Sequence, residues 1–231
     1  AWFLLALHWR ILYIKLTCSE AFEKRQGRGT NLPAYTVAIT GASGAPYANR
    51  LLAFLLGKGY RVYLTISEAG MLVVKDELGW EIPGEEEEAA LYLRERFKNC
   101  KGELFYYHSR RLTAPIASGT VPVAGMFVVP CSMSTAAAIA TGRHDNLIGR
   151  AADVTLKEGR TLVVVPRETP FNEVHLRNLL RLVRMGVKVV PAMPAFYNRP
   201  RSVEDMVDFV VGRALDQMGI VHDLYRPWQG T

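Results

Sequence analysis

From residue 35 onward, short apolar runs alternate with amphipathic stretches. Tyr35 to Thr40 is a β-branched run that stops at glycine, and it predicts a strand. In Tyr47 to Lys58 the leucines at 51, 52, 55 and 56 fall on one helical face, and Gly57-Lys58-Gly59 ends that helix. Tyr60 to Ile66 predicts a second strand. The same unit recurs three times: strand Gly125 to Pro130 with helix 132–141, strand Leu162 to Pro166 with helix 171–185, and strand Val187 to Val190 with helix 202–218 beyond a Pro-rich loop. The strand runs are continuously apolar rather than alternating, so both faces of each strand are covered. This predicts a single doubly wound α/β domain, Rossmann- or flavodoxin-like, on a parallel sheet over residues 34–231. The stretch from Glu85-Glu86-Glu87-Glu88 to Cys100 reads as a solvated surface helix with acids in its first turn, where the helix dipole favours them.

Residues 1–33 break this rhythm. The apolar stretch Trp2 to Leu16 is interrupted by His8, Arg10 and Lys15, which spoils a signal-peptide core and leaves it too short to span a bilayer. A mitochondrial-type presequence is the rival reading, though Ser and Arg are sparse for one. With Met71 the first methionine and Gly27-Arg28-Gly29-Thr30-Asn31 a linker, residues 1–33 are expected to be an extension that is disordered or foreign to the domain.

Composition narrows the classes. The 231 residues are 49% hydrophobic and 22% charged, enough for one sizeable core without disulfides or a structural metal. The 28 basic against 22 acidic residues leave a charge of +6. No block of five Lys or Arg is present, and the arginines stand in Gly- and Pro-punctuated apolar segments, where they hold discrete phosphates rather than a polyanion. Small anionic ligands are therefore expected, and nucleic acid is not. Cys18, Cys100 and Cys131 form no Cys-x-x-Cys and no Cys/His group. A reducing, cytoplasmic setting follows, with neither a disulfide framework nor a zinc site. No apolar run reaches the roughly 18 residues of a membrane span.

In such folds the chemistry lies at the carboxyl ends of strands. The first strand runs into Thr40-Gly41-Ala42-Ser43-Gly44-Ala45 and then a helix, a turn whose small residues and free N–H groups suit a phosphate. It fits neither Gly-x-Gly-x-x-Gly nor the Lys-bearing P-loop. The second strand ends in Ser67, not in the acid that holds an NAD ribose, and no Tyr-x-x-x-Lys pair is present. Nicotinamide is disfavoured, and flavin mononucleotide (FMN) fits better. Pro130-Cys131-Ser132-Met133-Ser134-Thr135 is another strand end opening into a helix, and its hydroxyls suit capping and ligand binding equally. Thr113 to Thr120 is a small polar loop. Arg150, Lys157, Arg167 and Arg213 form a cationic series; a surface ion pair accounts for Lys157 alone, but not for Arg167-Glu168 directly after an apolar strand.

Taken together, these segments resemble the flavin prenyltransferase (UbiX-like) family over residues 36 to about 228. The resemblance is carried by Gly41-Ala42-Ser43-Gly44-Ala45, Ala117-Ser118-Gly119, Pro130-Cys131-Ser132, Asn146 to Val154 and Leu156-Lys157-Glu158. Val165 to Pro170, His175-Leu176-Arg177-Asn178, Pro194-Ala195-Phe196-Tyr197 and Val211-Gly212-Arg213 extend it. It implies an enzyme that joins a dimethylallyl group from dimethylallyl monophosphate to N5 and C6 of reduced FMN, without a metal. The prenylated FMN would serve a UbiD-type decarboxylase, and the assembly would be a dodecamer with sites between subunits. By the same resemblance Gly41, Ala42, Ser43, Ser67, Ser132, Met133, Ser134, Thr135 and Arg167 would contact FMN. Tyr197 and Arg213 would bind dimethylallyl phosphate, with Ser118, Gly119, Arg150 and Lys157 completing the phosphate pocket. Glu77 and Glu168 match positions associated with proton handling, and Ser43 and Lys157 are further catalytic candidates. Leu112 stands where some members have an aromatic residue, Gly159 where Arg is frequent, and Trp228 matches an aromatic position near the pocket.

The residues agree with that chemistry. A monophosphate leaving group suits Arg and Lys in place of a metal, and the lone acidic stretch Glu204-Asp205-Met206-Val207-Asp208 has no second copy of the kind diphosphate prenyltransferases use. Two alternatives remain at this point: a flavin-dependent cysteine decarboxylase of the same fold, and a non-catalytic FMN carrier. The first would need a His where the chain has Pro46-Tyr47-Ala48 and an Asn near Met133-Ser134; the second has no use for a second phosphate site.

Overall fold

The computed structural model describes residues 33–228 and residue 230. The expectation for the N-terminal extension falls, apart from Pro33, outside the described residues. Six parallel strands form one sheet in the order β3-β2-β1-β4-β5-β6. The strands are β1 (Ala34–Ile39), β2 (Arg61–Ile66), β3 (Glu103–Tyr106), β4 (Gly125–Cys131), β5 (Thr161–Pro166) and β6 (Lys188–Val189). The helices are α1 (Ala45–Gly57), α2 (Glu68–Leu78), α3 (Glu86–Arg96), α4 (Met133–Ala140), α5 (Leu147–Lys157), α6 (Glu173–Arg184) and α7 (Val203–Met218), with a 3-10 turn at Pro115–Ala117.

The sheet is doubly wound, as its continuous apolar runs require. Val37, Ile39, Phe127, Val129, Val163 and Val165 point to one face and pack with Leu51, Leu52 and Leu55 of α1 and Val210, Val211 and Leu215 of α7. Their neighbours Ala38, Met126, Val128, Leu162 and Val164 point to the other face, against α4, α5 and Leu182 of α6. On the first face Arg50 of α1 forms a two-pronged ion pair with Asp208 of α7, its second bond Nη2–Oδ2 at 3.1 Å.

Three elements go beyond the sequence reading. Edge strand β3 is only four residues long, too short for a periodicity signal. Helix α2 holds Gly70, whose N–H is capped by Ser67 Oγ at 3.0 Å, and it leaves Leu72 exposed, which blurs its apolar face. Helix α5 starts on Asn146, whose Oδ1 accepts Gly149 N at 3.0 Å, and its buried face mixes Leu147, Ile148 and Val154 with the small residues Gly149, Ala151 and Ala152. Helix α3 is the surface helix expected, with Glu86, Glu87 and Glu88 in its first turn and Ala89 and Leu93 buried. Among the described residues no helix is long and apolar enough to cross a membrane.

Candidate active site

Strand order reverses between β1 and β4, which opens a crevice beyond their carboxyl ends. Thr40 ties the two ends together. Its buried hydroxyl donates to the Pro130 carbonyl at 2.8 Å and accepts the Ser132 N–H at 2.7 Å. Thr40→Val keeps the shape and deletes both bonds, leaving the Ser132 N–H without its acceptor, at about 1–3 kcal/mol. In a chain of this size a fall in Tm of about 2–12 °C is expected in a thermal melt.

The turn after β1 is tightly built. A Cβ on Gly41 would lie 2.4 Å from Ala69 Cβ, so only glycine lets the turn pack on the start of α2. Gly44 has φ +122°, and a Cβ there would meet Tyr47 Cδ2 at 2.8 Å. Ala42 is buried beneath the turn and Ser43 is exposed on it. From the end of β5, Arg167 Nε donates to the Ser43 carbonyl at 3.2 Å. The Glu77 carboxylate on α2 accepts Gly44 N at 2.9 Å and Ala45 N at 2.8 Å, taking the N–H groups that open α1. Glu77 thus faces the turn as its cap. Tyr47 feels both Arg167 and Glu77, and burial pushes its phenol above the ordinary tyrosine range.

At the β4 end the hydroxyls divide between two uses. Ser132 Oγ accepts Thr135 N at 3.2 Å and donates to Thr135 Oγ1 at 3.0 Å, so it is committed to capping α4. Thr135 keeps its own hydrogen to give, and Ser134 is exposed. Met133 is buried in the core, which leaves its backbone, at the helix start, as the part open to a ligand. Burial pushes the Cys131 thiol up to about 12, so it stays protonated and is no nucleophile at neutral pH.

A cavity at this crevice shares Met193 as a wall with a second cavity. One, of about 330 Å³, is lined by Pro166, Arg167, Glu168, Thr169, Phe171 and Ala192. The other, of about 360 Å³, lies between β6 and α7, with Val189, Val190, Phe209 and Val210 as apolar walls and Arg213 and Gln217 as polar ones. Tyr197 packs edge-on against Phe209 and Trp228, with ring centroids 6.0 and 5.4 Å away. Arg167 and Glu168 thus lie with the glycine turn and the β4 end, while Tyr197, Trp228 and Arg213 gather around Phe209 and α7.

The remaining predicted residues lie elsewhere. Arg150 and Lys157 are two turns apart on α5, on the opposite sheet face from α7. Arg150 donates to the Ala117 carbonyl and to Asp153, each at 3.3 Å. Arg160 holds the adjoining loop through the Gly119 and Val121 carbonyls at 2.7 and 2.9 Å. Ser118, Gly119, Arg150 and Lys157 thus form a second group that one chain does not join to Tyr197 and Arg213. Lys157, at the last turn of α5, sits toward the amino edge of the sheet.

Comparison with known proteins decides the family. The Flavoprotein family model matches residues 24–215. The flavin prenyltransferase UbiX of Halalkalibacterium halodurans is 49% identical over 194 residues, covering 84% of this chain and 92% of that protein. This chain belongs to the UbiX flavin prenyltransferase family. Among solved structures, a dodecameric FMN-dependent UbiX-like decarboxylase from Escherichia coli O157:H7 is 42% identical with TM-score 0.73, covering 85% of this chain and all of that one. AnUbiX (PadA1), solved with FMN and dimethylallyl pyrophosphate, is 36% identical with TM-score 0.74, covering 87% and 99%.

The UbiX-family chain offers FMN a fitting frame: a glycine turn with no room for a Cβ, the exposed Ser134 hydroxyl, the Thr135 hydroxyl with its hydrogen to give, and the Arg167 guanidinium. Among the described residues no three His, Cys, Asp or Glu side chains converge as metal ligands. Sequence reasoning missed three partners of the predicted residues, Asp216, His222 and Tyr225, which gather around Arg213. No local pattern marks them, because the tail that carries two of them folds back on α7.

Proposed function

We propose that the chain transfers the dimethylallyl group of dimethylallyl monophosphate to N5 and C6 of reduced FMN, producing prenylated FMN for a UbiD-type decarboxylase in the cytoplasm. The observation that carries this reading is the shared Met193 wall. Through Met193 the cavity beside Arg167 borders an apolar groove that carries a guanidinium in its wall, which supports a flavin and a prenyl phosphate binding close together. The names of the relatives and the ligands of the AnUbiX structure support it.

In this reading Gly41, Ala42, Ser43, Ser67, Ser134, Thr135 and Arg167 orient the flavin, with Ser132 and the Met133 backbone shaping the same helix start. The groove walls Val189, Val190 and Phe209 exclude water from the prenyl chain. Arg213 and Tyr197 hold the phosphate, and the guanidinium stabilises the charge that grows on it as the C–O bond breaks. Reduced FMN, when bound, supplies the nucleophilic N5 and C6. Of the two acids, Glu168 lines a cavity while Glu77 is committed to the turn, so Glu168 or a phosphate oxygen receives the C6 proton. Ser118, Gly119, Arg150 and Lys157 lie away from Arg213 in the same chain, so a second copy supplies them, in keeping with a dodecamer whose sites lie between subunits.

Anaerobic incubation of the purified protein with reduced FMN and dimethylallyl monophosphate, with no Mg²⁺ added, tests the reading. Mass spectrometry of the extracted flavin is expected to show the gain of one C5 prenyl unit. Unmodified FMN would reduce the protein to a flavin binder.

A further inference from the structure

Arg213 does not stand alone in its groove. Its Nη1 donates to Asp216 Oδ2 at 2.8 Å and to the Tyr225 hydroxyl oxygen at 3.1 Å, and that hydroxyl donates onward to the same carboxylate oxygen. The other carboxylate oxygen, Oδ1, lies 3.0 Å from His222 Nε2. His222 Nδ1 accepts the Leu224 N–H at 3.2 Å, which leaves Nε2 to carry the ring hydrogen toward Asp216. The His222 side chain is only 5% exposed. Burial first, and then the Asp216 carboxylate, hold the Tyr225 phenol above its ordinary range, so it remains a donor.

The chain is shaped to allow this. A Cβ on Gly212 would fall 2.6 Å from Tyr225 Cδ1 and 2.7 Å from His222 Cε1, so glycine at this position lets the two rings lie on α7. The rings continue the stack: His222 and Tyr225 centroids are 5.3 Å apart, and Tyr225 and Phe209 are 5.1 Å apart. Phe209 in turn lines the groove beside Arg213. Only Nη1 of Arg213 is used in this network. Among the described residues, Nε and Nη2 make no hydrogen bond, and they form the edge that grips a phosphate with two parallel bonds.

We infer that Asp216 is a positioning residue for dimethylallyl phosphate: with Tyr225 and His222 it fixes Nη1 of Arg213, so that the Nε–Nη2 edge faces the substrate phosphate ready oriented. Asp216 touches no substrate and acts through Arg213. The inference rests on the reading of Arg213 as the phosphate ligand. It has an opposite, in which Asp216 merely cancels the arginine's charge and its loss tightens phosphate binding.

Steady-state kinetics with dimethylallyl monophosphate, alongside FMN titration and thermal melts, separate these. Asp216→Asn is expected to raise KM for dimethylallyl monophosphate about 10-fold or more, with kcat changed far less. Its FMN Kd should stay within about 2-fold, and its Tm within a few degrees. Asp216→Glu should recover part of the loss. Tyr225→Phe, which deletes one oxygen, should raise the same KM about 3- to 10-fold and secures the test if Asp216→Asn folds poorly. An unchanged or lowered KM in both variants, while Arg213→Ala raises it, would overturn the positioning role and leave the phosphate ligand in place. A fall in FMN affinity in step with KM would overturn it too, by making the network a prop of the fold. If Arg213→Ala itself leaves KM unchanged, the phosphate reading fails and the inference falls with it.

Discussion

Replacing Arg167 with alanine is expected to weaken FMN binding about 10- to 150-fold while leaving the fold intact. Arg167 follows β5 directly, and its Nε reaches across the crevice to the Ser43 carbonyl. One side chain therefore holds the glycine turn against β5 and presents its remaining N–H groups to the same space. Hydrogen bonds to a charged group contribute about 1.5–3 kcal/mol, which is the fold-change given. Arg167→Lys keeps the charge but not the fork, and it should recover less than half of the loss in free energy. Isothermal titration with FMN checks both variants, and circular dichroism melts check that neither has lost the sheet. A variant that binds FMN normally would remove Arg167 from the flavin site.

The second large effect concerns Gly70. A Cβ there would lie 2.7 Å from the Ile39 carbonyl oxygen and 3.0 Å from Ile66 Cγ2, so both the end of β1 and the end of β2 press on this one position. Gly70→Val adds three carbons where none fit, and α2 must move away from the sheet. Overpacking of this kind costs about 1–3 kcal/mol, and Tm is expected to fall by about 2–12 °C. The damage reaches the site, because α2 also carries Glu77 and begins at the Ser67 cap. A matching substitution at the open, exposed end of α1, Gly57→Ala, meets no atom within 4 Å and serves as the control. Differential scanning calorimetry with and without FMN reads both quantities; equal melting temperatures for Gly70→Val and the parent chain would show that the backbone yields.

Legibility in the sequence followed the range of the interactions involved. Leu51, Leu52, Leu55 and Leu56 announce α1 because their spacing is a local property of one helix face, and the continuous apolar strands announce a sheet covered on both sides. Strand ends were equally readable, since a strand that stops at Gly41, Ser67, Ser132 or Arg167 states where it stops. What lies across space was not. Nothing near Glu77 indicates that its carboxylate closes on a turn 33 residues earlier, and nothing near Asp216 indicates that two tail residues return to it. Met133 stands in a site motif yet is buried in the core, because helical phase decides its direction and the motif does not. The equal readings for Ser132 resolve toward capping for the same reason: the Thr135 N–H is three residues away and always within reach.

The Glu77 contact also bears on which nucleotides the crevice will accept. In dinucleotide-binding α/β proteins the N-terminus of the first helix receives the pyrophosphate. Here that place is taken by the protein's own carboxylate, which occupies the Gly44 and Ala45 N–H groups and adds a negative charge to the spot. An incoming pyrophosphate would have to displace Glu77 and sit beside it, like charge against like charge. A pyrophosphate must therefore compete with Glu77 for these N–H groups, so a ligand with one phosphate, anchored from the neighbouring strand ends, is the expected occupant.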